Sequence, residues 1–218
     1  MTLNVSNLSC YRGGRLIFAN QSFAIGEGEA VMLRGPNGSG KSTLLKALAG
    51  MLPAEGEVEL NGIALTDDHD GVQEQIAYAG HLDAIKPQLT VAENLTFWAR
   101  LFDGGSIEKA KELFILDEIW DRPAHACSAG QKRRLGLARL VVSGRPLWLL
   151  DEPTVSLDVE TTARFAAIIK DHCANGGMAL IATHIDLGLD APREVYLDPS
   201  VRRANTPTRD PFLAEGWE

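Results

Sequence analysis

The sequence predicts an α/β fold with a parallel sheet, and three observations support this class. Apolar strands alternate with helices over the second half of the chain. A strand, a glycine-rich loop and a helix follow one another at residues 30–49, and several short strands surround that unit. Strands that alternate with helices form parallel sheets with helices on their faces. Short strands joined by tight turns form antiparallel sheets instead.

Short strands dominate the first 65 residues. Apolar segments separated by turn residues lie at Leu3–Ser6, Leu16–Ile25 and Glu29–Arg34. The dipeptide Asn61-Gly62 joins two further strands, at 56–60 and 63–65, and both of its residues tolerate the positive φ that a two-residue hairpin requires. We therefore expect a small antiparallel sheet that flanks the parallel one.

Residues 35–43 fit the phosphate-loop pattern G-x-x-x-x-G-K-[ST], between an apolar strand at 30–33 and a helical segment at 43–49. The glycines let backbone N–H groups surround phosphate oxygens, and the helix presents its positive end there. Lys41 would add a charge at the β- and γ-phosphates, and Ser42 a hydroxyl for Mg²⁺. A glycine-rich turn that matches by chance is the alternative, and the strand–loop–helix setting disfavours it. The predicted nucleotide-binding residues are Gly35, Pro36, Asn37, Gly38, Ser39, Gly40, Lys41, Ser42 and Thr43.

The middle of the chain, about residues 88–140, is nearly all helical and is predicted to be an inserted subdomain. Thr90 and Glu93 match a capping box that opens a helix through Leu101. A second helical segment covers Ile107–Leu116.

The second half of the chain gives the clearest alternation. The predicted elements are strands at Pro146–Leu150, Met178–Thr183 and Glu194–Leu197, with a helix at Val159–Cys173. Gly176-Gly177 follows this helix, as glycine commonly does at a helix C-terminus.

Composition limits the class of protein. The chain has 218 residues, of which 45% are hydrophobic, so it can bury a single large core. We expect one domain over residues 1–200 and an irregular tail at 201–218. The net charge of −8 argues against nucleic acid as a partner, because phosphate neutralisation needs a basic face. The densest basic cluster, Lys132-Arg-Arg134, is interpreted as a solvated helix face.

The cysteines and the lack of long apolar segments indicate the cellular compartment that we expect for this chain. Cys10, Cys127 and Cys173 are far apart, which fits reduced thiols in the cytosol better than a disulfide framework. The first residues lack a basic and an apolar region, so we expect no signal peptide. No apolar run approaches the roughly 18–20 residues of a membrane span.

Two adjacent acids, Asp151 and Glu152, follow the apolar strand. A carboxylate at the C-terminal end of a buried strand beside a phosphate loop is suited to hold Mg²⁺. Side chains alternate along a strand, so the two acids have different roles. We predict that Asp151 holds the metal with Ser42, and that Glu152 positions or deprotonates a water. A pair of exposed acids is the alternative interpretation, which the phosphate loop disfavours.

The segment Cys127-Ser-Ala-Gly-Gln131 precedes a helical stretch at 132–142. Here the chain resembles the ATP-binding-cassette family, whose signature is Leu-Ser-Gly-Gly-Gln, with Cys127 and Ala129 as departures. A Ser at a helix N-cap leaves N–H groups and a positive dipole end for an anion. An ordinary N-cap is the alternative, but the position 23 residues before Asp151 matches the family's spacing. The resemblance implies nucleotide contacts, to the γ-phosphate bound by the other subunit, from Ser128, Gly130 and Gln131.

Further motifs follow in the family's order. Ser156-Leu-Asp158 occupies the D-loop position, which the resemblance places against the partner subunit. His184 occupies the switch-histidine position, where an imidazole can hydrogen-bond the γ-phosphate. With Lys41 and Glu152 it completes the predicted catalytic set. Tyr11 lies where the family stacks an aromatic ring on adenine, although it could equally pack in the sheet.

One position departs from the family's pattern, and this departure indicates which group within the family the chain resembles. His81, 40 residues after Lys41, replaces the Gln that touches Mg²⁺ in the family. Histidine is a poor ligand for Mg²⁺, which prefers oxygen. With this departure, the chain is similar to the haem-exporter ATPases of cytochrome c maturation. The segments that carry the similarity are Arg12–Arg15, Arg34–Pro36, Gly80-His81, Lys86–Thr90, Glu93–Leu95 and Ser128–Gln131.

The resemblance implies an ATPase that uses ATP and Mg²⁺. It would act as a head-to-tail homodimer on the integral membrane subunits of a cytochrome c maturation complex, at the cytoplasmic face of the bacterial inner membrane. ATP turnover would serve haem delivery, by release of a haem-loaded chaperone, and this chain is expected to bind neither haem nor nucleic acid. Three alternatives stay open: an ATPase of another exporter or importer, a cassette protein that acts on ribosomes or DNA, and a nucleotide-binding regulator without turnover.

Overall fold

The structure, a computed structural model, describes residues 1–102 and 104–198. Its strands are β1 (Thr2–Arg12), β2 (Arg15–Gly26), β3 (Ala30–Arg34), β4 (Glu55–Leu60), β5 (Ile63–Ala64), β6 (Ile76–Ala79), β7 (Leu147–Asp151), β8 (Met178–Ala182) and β9 (Arg193–Tyr196). Its α-helices are α1 (Lys41–Leu48), α2 (His69–Gln73), α3 (Val91–Phe102), α4 (Ile107–Leu113), α5 (Ala129–Ser143) and α6 (Val159–Ala174). Two 3₁₀ helices, Asp117–Ile119 and Ala124–Ala126, lie between α4 and α5.

The central sheet is parallel, with its strands in the order β6-β7-β8-β3-β9. Strands β7 and β8 consist entirely of buried residues, as expected of central strands covered on both faces. The carboxyl ends of parallel strands meet at one edge of the sheet, where ligands bind in α/β proteins. The glycine-rich loop that follows β3 and the acids at the end of β7 therefore lie at the same edge.

The second sheet is antiparallel, in the order β2-β1-β4-β5. Its predicted hairpin is confirmed, because Asn61 and Gly62 join β4 to β5 with φ of 56° and 77°. Strand β1 runs on to Arg12, beyond the predicted end at Ser6. Its register with β2 shifts between Val5 and Leu8, and this irregularity breaks the alternation that the prediction used.

Hydrophobic cores lie on both faces of the parallel sheet. On one face, β1 and α1 pack against the central strands through residues such as Leu3, Leu44 and Leu149. On the other face, α3, α5 and α6 pack through residues such as Leu95, Leu137 and Phe165. The predicted α/β class with a flanking antiparallel sheet is confirmed.

Capping residues define where the helices of the middle segment begin. At the start of α3 the backbone N–H of Thr90 donates to Glu93 Oε2 at 2.8 Å, and the N–H of Glu93 donates to Thr90 Oγ1 at 3.1 Å. A second capping box, between Ser128 and Gln131, starts α5 at Ala129, three residues earlier than predicted.

Helix α4 ends at Leu113, before the predicted end at Leu116. Helix α2 was not predicted, because its five residues are too few to show helical periodicity. The limits of the domain and of its helical subdomain stay predictions, and the tail at 201–218 lies outside the described residues. Within the described ranges, no helix combines the length and the apolar character needed to cross a membrane.

Candidate active site

The phosphate loop joins β3 to α1 in a conformation that depends on glycine. Gly35, Gly38 and Gly40 have φ of 146°, 76° and 106°. A Cβ at Gly35 would come within 2.7 Å of both the Leu197 carbonyl oxygen and Ser39 Oγ. Helix α1 begins directly after the loop, so its free N–H groups lie where an anion would bind.

Polar groups in the loop fit nucleotide phosphates. The Nζ of Lys41 donates to the carbonyl oxygens of Gly35 and Pro36 at 2.7 and 3.2 Å. The hydroxyl of Ser39 is buried and has no hydrogen-bond partner among the described residues. An ammonium held at the loop and a buried hydroxyl without a partner are both groups that phosphate oxygens satisfy.

Oxygen atoms that fit a magnesium ion lie beside the loop. Ser42 Oγ donates to Asp151 Oδ1 at 3.0 Å, and Asp151 is 2% exposed. Hydroxyl and carboxylate oxygens are the donors that Mg²⁺ prefers, so the pair predicted from sequence is brought together in a suitable form. Tyr78, which was not predicted, donates its hydroxyl to Asp151 Oδ2 at 3.2 Å. Burial, and then the charge of Asp151, raise the pKa of Tyr78, so the phenol stays protonated and remains a donor.

The predicted base and switch histidine are neighbours at the same edge. His184 Nε2 lies 3.6 Å from Glu152 Oε1 and 2.8 Å from Asn37 Oδ1. The contact with an amide oxygen requires that Nε2 carries the hydrogen and donates. The Glu152 side chain is 19% exposed and that of His184 is 54% exposed. The carboxylate is thus shielded but still reachable by a water, which is what a general base requires.

The signature residues form a second cluster. A groove of about 330 Å³ is lined by residues that include Ser128, Gly130, Gln131, Arg134 and the segment 156–158. A Cβ at Gly130 would lie 3.0 Å from the Ser156 carbonyl oxygen, so the two loops touch. Among the described residues, no hydrogen bond joins this cluster to the phosphate loop. Nucleotide binding by Ser128, Gly130 and Gln131 stays a prediction, and within one chain this cluster and the phosphate loop are separate groups of residues.

Two other predicted positions lie on the surface. Tyr11 is 49% exposed near the end of β1, so sheet packing does not bury it, and stacking on adenine stays a prediction. His81 is exposed in the segment that follows β6.

The interpretation of Lys132-Arg-Arg134 as a solvated face is wrong for Arg133, which is 4% exposed. A signal for this was present in the sequence. Arg133 shares one face of α5 with Gly136 and Leu137, three and four positions later, and both of these are buried.

Comparison with known proteins identifies the class. A model of the ABC transporter family matches residues 18–155, and the chain belongs to this family. It is an ABC-type ATPase, as the sequence predicted, and the alternative of a regulator without turnover is not supported.

Individual relatives indicate a group within the ABC transporter family. The cytochrome c biogenesis ATP-binding export protein CcmA of Ruegeria pomeroyi is 53% identical over 212 residues, which are 97% of this chain and 98% of that protein. The protein of the same name from Paracoccus denitrificans is 50% identical, over 94% of this chain and 95% of its own length. The predicted resemblance to that group is confirmed.

Solved structures confirm the fold. An ATP-binding subunit of an ABC transporter superposes with a TM-score of 0.82 at 25% identity, over 91% of this chain and 87% of that chain. A dimeric ATP-binding cassette in a post-hydrolysis state, bound to ADP and Pi, gives 0.80 at 26% identity, over 90% of this chain and 94% of that chain.

Proposed function

We propose that this ATPase energises a membrane complex of cytochrome c biogenesis, as a homodimer at the cytoplasmic face of the bacterial inner membrane. The relatives that carry this pathway in their names align over almost the whole chain. The observation that carries the catalytic part of the proposal is the meeting of Ser42, Asp151, Glu152 and His184 at one edge of the sheet.

Each group at this edge has a role in the proposed hydrolysis. The loop N–H groups and Lys41 bind the phosphates and orient them. Ser42 and Asp151 would hold Mg²⁺, which, when bound, neutralises negative charge on the phosphate oxygens. Glu152 accepts the proton of the attacking water. His184 donates a hydrogen bond from Nε2 to the γ-phosphate. Ser128 and Gly130 of a second copy would complete the site from the opposite side.

Substitutions in the site separate binding from hydrolysis. Glu152→Gln keeps the shape of the side chain but removes the base, so the variant should bind ATP and fail to hydrolyse it. Lys41→Ala should instead weaken ATP binding, because it removes the charge at the phosphates. Equilibrium binding of a fluorescent ATP analogue and phosphate release measure the two properties. Hydrolysis at the wild-type rate by Glu152→Gln would show that the base is another residue.

The pathway is tested in cells. A strain without this gene should lack covalently bound haem in its c-type cytochromes, and the wild-type gene, but not Glu152→Gln, should restore it. Normal maturation in the deletion strain would contradict the pathway and would favour the alternative of another exporter or importer.

Haem itself is proposed to bind to the membrane subunits and not to this chain. The three cysteines are buried, and His184 is engaged with the phosphate loop. Titration of haem into the purified chain should therefore give only a weak, non-saturating spectral change. A stoichiometric Soret shift that one His or Cys substitution abolishes would contradict this division of roles.

A further inference from the structure

A single buried guanidinium connects three parts of the protein. Arg133 on α5 donates from Nε to the Pro153 carbonyl oxygen at 2.8 Å and from Nη2 to the Glu152 carbonyl oxygen at 2.9 Å. Its Nη1 donates to the Gly80 carbonyl oxygen and to Asp83 Oδ1, both at 2.7 Å. The Arg133 side chain is 5% exposed and that of Asp83 is 21% exposed. The helix that begins with the signature residues is thus tied both to the segment 152–153 and to the segment 80–83.

The backbone of Glu152 needs such support. Glu152 has φ of 47°, a left-handed conformation that a residue with a side chain rarely adopts. Such a conformation persists only where surrounding contacts hold it. Three hydrogen bonds do so: the Glu152 N–H donates to the Ala182 carbonyl oxygen at 2.8 Å, and its own carbonyl oxygen accepts from Arg133 at 2.9 Å and, at 3.4 Å, from the Val155 N–H. The direction of the Glu152 side chain therefore depends on where the guanidinium lies.

The position of the guanidinium depends in turn on the segment 80–83. Asp83 supplies the only carboxylate that pairs with Arg133 among the described residues. Gly136, one turn along α5, lets this segment approach closely, since a Cβ there would lie 2.6 Å from Asp83 Cβ. The segment also contains His81 and Leu82, and Leu82 is 86% exposed. The two middle residues of the segment are therefore accessible, while its ends, the Gly80 carbonyl and the Asp83 carboxylate, are bound to Arg133.

We propose that Arg133 is a positioning residue for hydrolysis, which sets the orientation of Glu152 according to the position of the segment 80–83. This inference rests on the proposed role of Glu152 as the base. Neither Arg133 nor Asp83 touches the phosphate loop in the described contacts, so their effect should fall on the hydrolytic step and not on nucleotide binding.

Substitution of Asp83 tests the proposal, because Arg133 keeps its Nε and Nη2 donors to residues 152–153 and loses only the carboxylate that holds the guanidinium in position. Asp83→Ala should lower kcat about tenfold, since a small displacement of a catalytic group costs this much or more, and should leave the KM for ATP unchanged. Asp83→Asn retains an oxygen acceptor at the same position and should restore most of the rate. Gly136→Ala keeps both charged groups, but its Cβ would lie 2.6 Å from Asp83 Cβ and 2.8 Å from Asp83 Oδ1, so it pushes the segment away from Arg133. It should lower kcat in the same way, which gives a second test should Asp83→Ala fail to fold.

A matched control is available on the same helical unit. Arg145, just after α5, donates from Nη1 to the Ile76 carbonyl oxygen at 2.6 Å and stacks on Phe102. Arg145→Lys removes a comparable link to the sheet at its far end, so it should lower the melting temperature without a selective loss of kcat.

The outcomes are distinct. A kcat for Asp83→Ala equal to that of the wild type, or a loss equal to that of Arg145→Lys, would overturn the positioning role. Unimpaired hydrolysis by Glu152→Gln would instead reject the base itself, whatever Asp83→Ala does.

Discussion

The hydroxyl of Tyr78 donates a hydrogen bond to Asp151 Oδ2 at 3.2 Å, while the other carboxylate oxygen accepts from Ser42. Both oxygens of a buried carboxylate are thereby fixed. The Tyr78 ring also fills the space beside Gly80, where a Cβ would lie 2.6 Å from the Tyr78 hydroxyl oxygen. One phenol therefore connects the proposed metal ligand to the residue before His81.

Tyr78→Phe should weaken the use of Mg²⁺. The substitution removes a hydrogen bond to a charged group, so the Mg²⁺ concentration that gives half-maximal ATPase rate should rise about tenfold. Binding of ATP without Mg²⁺ should not change, and this is measured with a fluorescent analogue in the presence of a chelator. Tyr196→Phe, at a 62% exposed position, is the control. An unchanged Mg²⁺ dependence would limit Tyr78 to a packing role.

Local patterns predicted much of this fold because their causes are local. The apolar strand before Asp151, the hairpin at Asn61-Gly62 and the capping box at Thr90 each depend on a few neighbouring residues. The phosphate loop was equally visible, since its glycines and Lys41 are contiguous.

Contacts between distant segments were not predictable in the same way. Tyr78 and Asp151 are 73 positions apart, and Arg133 and Asp83 are 50 apart. The residues next to Tyr78 and Arg133 in the sequence do not indicate these partners, because each partner lies in a different segment of the chain. Only the packing of α5 on β6 and the order of the strands brings these groups together.

The isolated chain should dimerise when ATP is bound but not hydrolysed. In the Glu152→Gln variant, the signature cluster of each copy would contact the nucleotide held by the other. Ser128→Ala in this background should weaken the ATP-dependent dimer about tenfold, because it removes a polar contact to a charged phosphate. Sedimentation velocity with and without ATP measures the change.

Thr90→Ala is the matched control for this experiment. It removes an equivalent capping hydroxyl, at the start of α3, and so costs similar helix stability without touching the groove. Equal effects of the two alanine substitutions, or a monomer with saturating ATP, would contradict the composite site.

His81 should act in coupling and not as an essential metal ligand. It is exposed, and its side chain offers only nitrogen as a ligand atom, whereas Mg²⁺ prefers oxygen. His81→Gln should therefore keep Mg²⁺-dependent hydrolysis, whereas His81→Ala should lose stimulation by the membrane subunits. ATPase assays of the purified chain and of the reconstituted complex measure the two properties. Loss of nucleotide-dependent Mg²⁺ binding in both variants would show that the imidazole is a ligand.

His172 should make stability depend on pH. Its ring stacks on Trp148 with centroids 3.8 Å apart and an interplanar angle of 9°, and Nε2 donates to the Pro146 carbonyl oxygen at 3.0 Å. Burial lowers the pKa of His172 below its ordinary value of 6.5. The unfolded chain therefore binds a proton more readily than the folded chain, so the contribution to stability is complete above the unfolded pKa and is lost as the pH falls below it.

Substitution of this histidine should flatten that dependence. The free energy of unfolding of the wild type should decrease as the pH is lowered from about 7 to about 5, and His172→Gln should decrease less over the same range. The absolute stability of the variant also falls because the stack is lost, so the slope with pH is the informative quantity. Urea unfolding followed by circular dichroism at several pH values measures it. A slope for His172→Gln equal to that of the wild type would show that His172 does not titrate with folding.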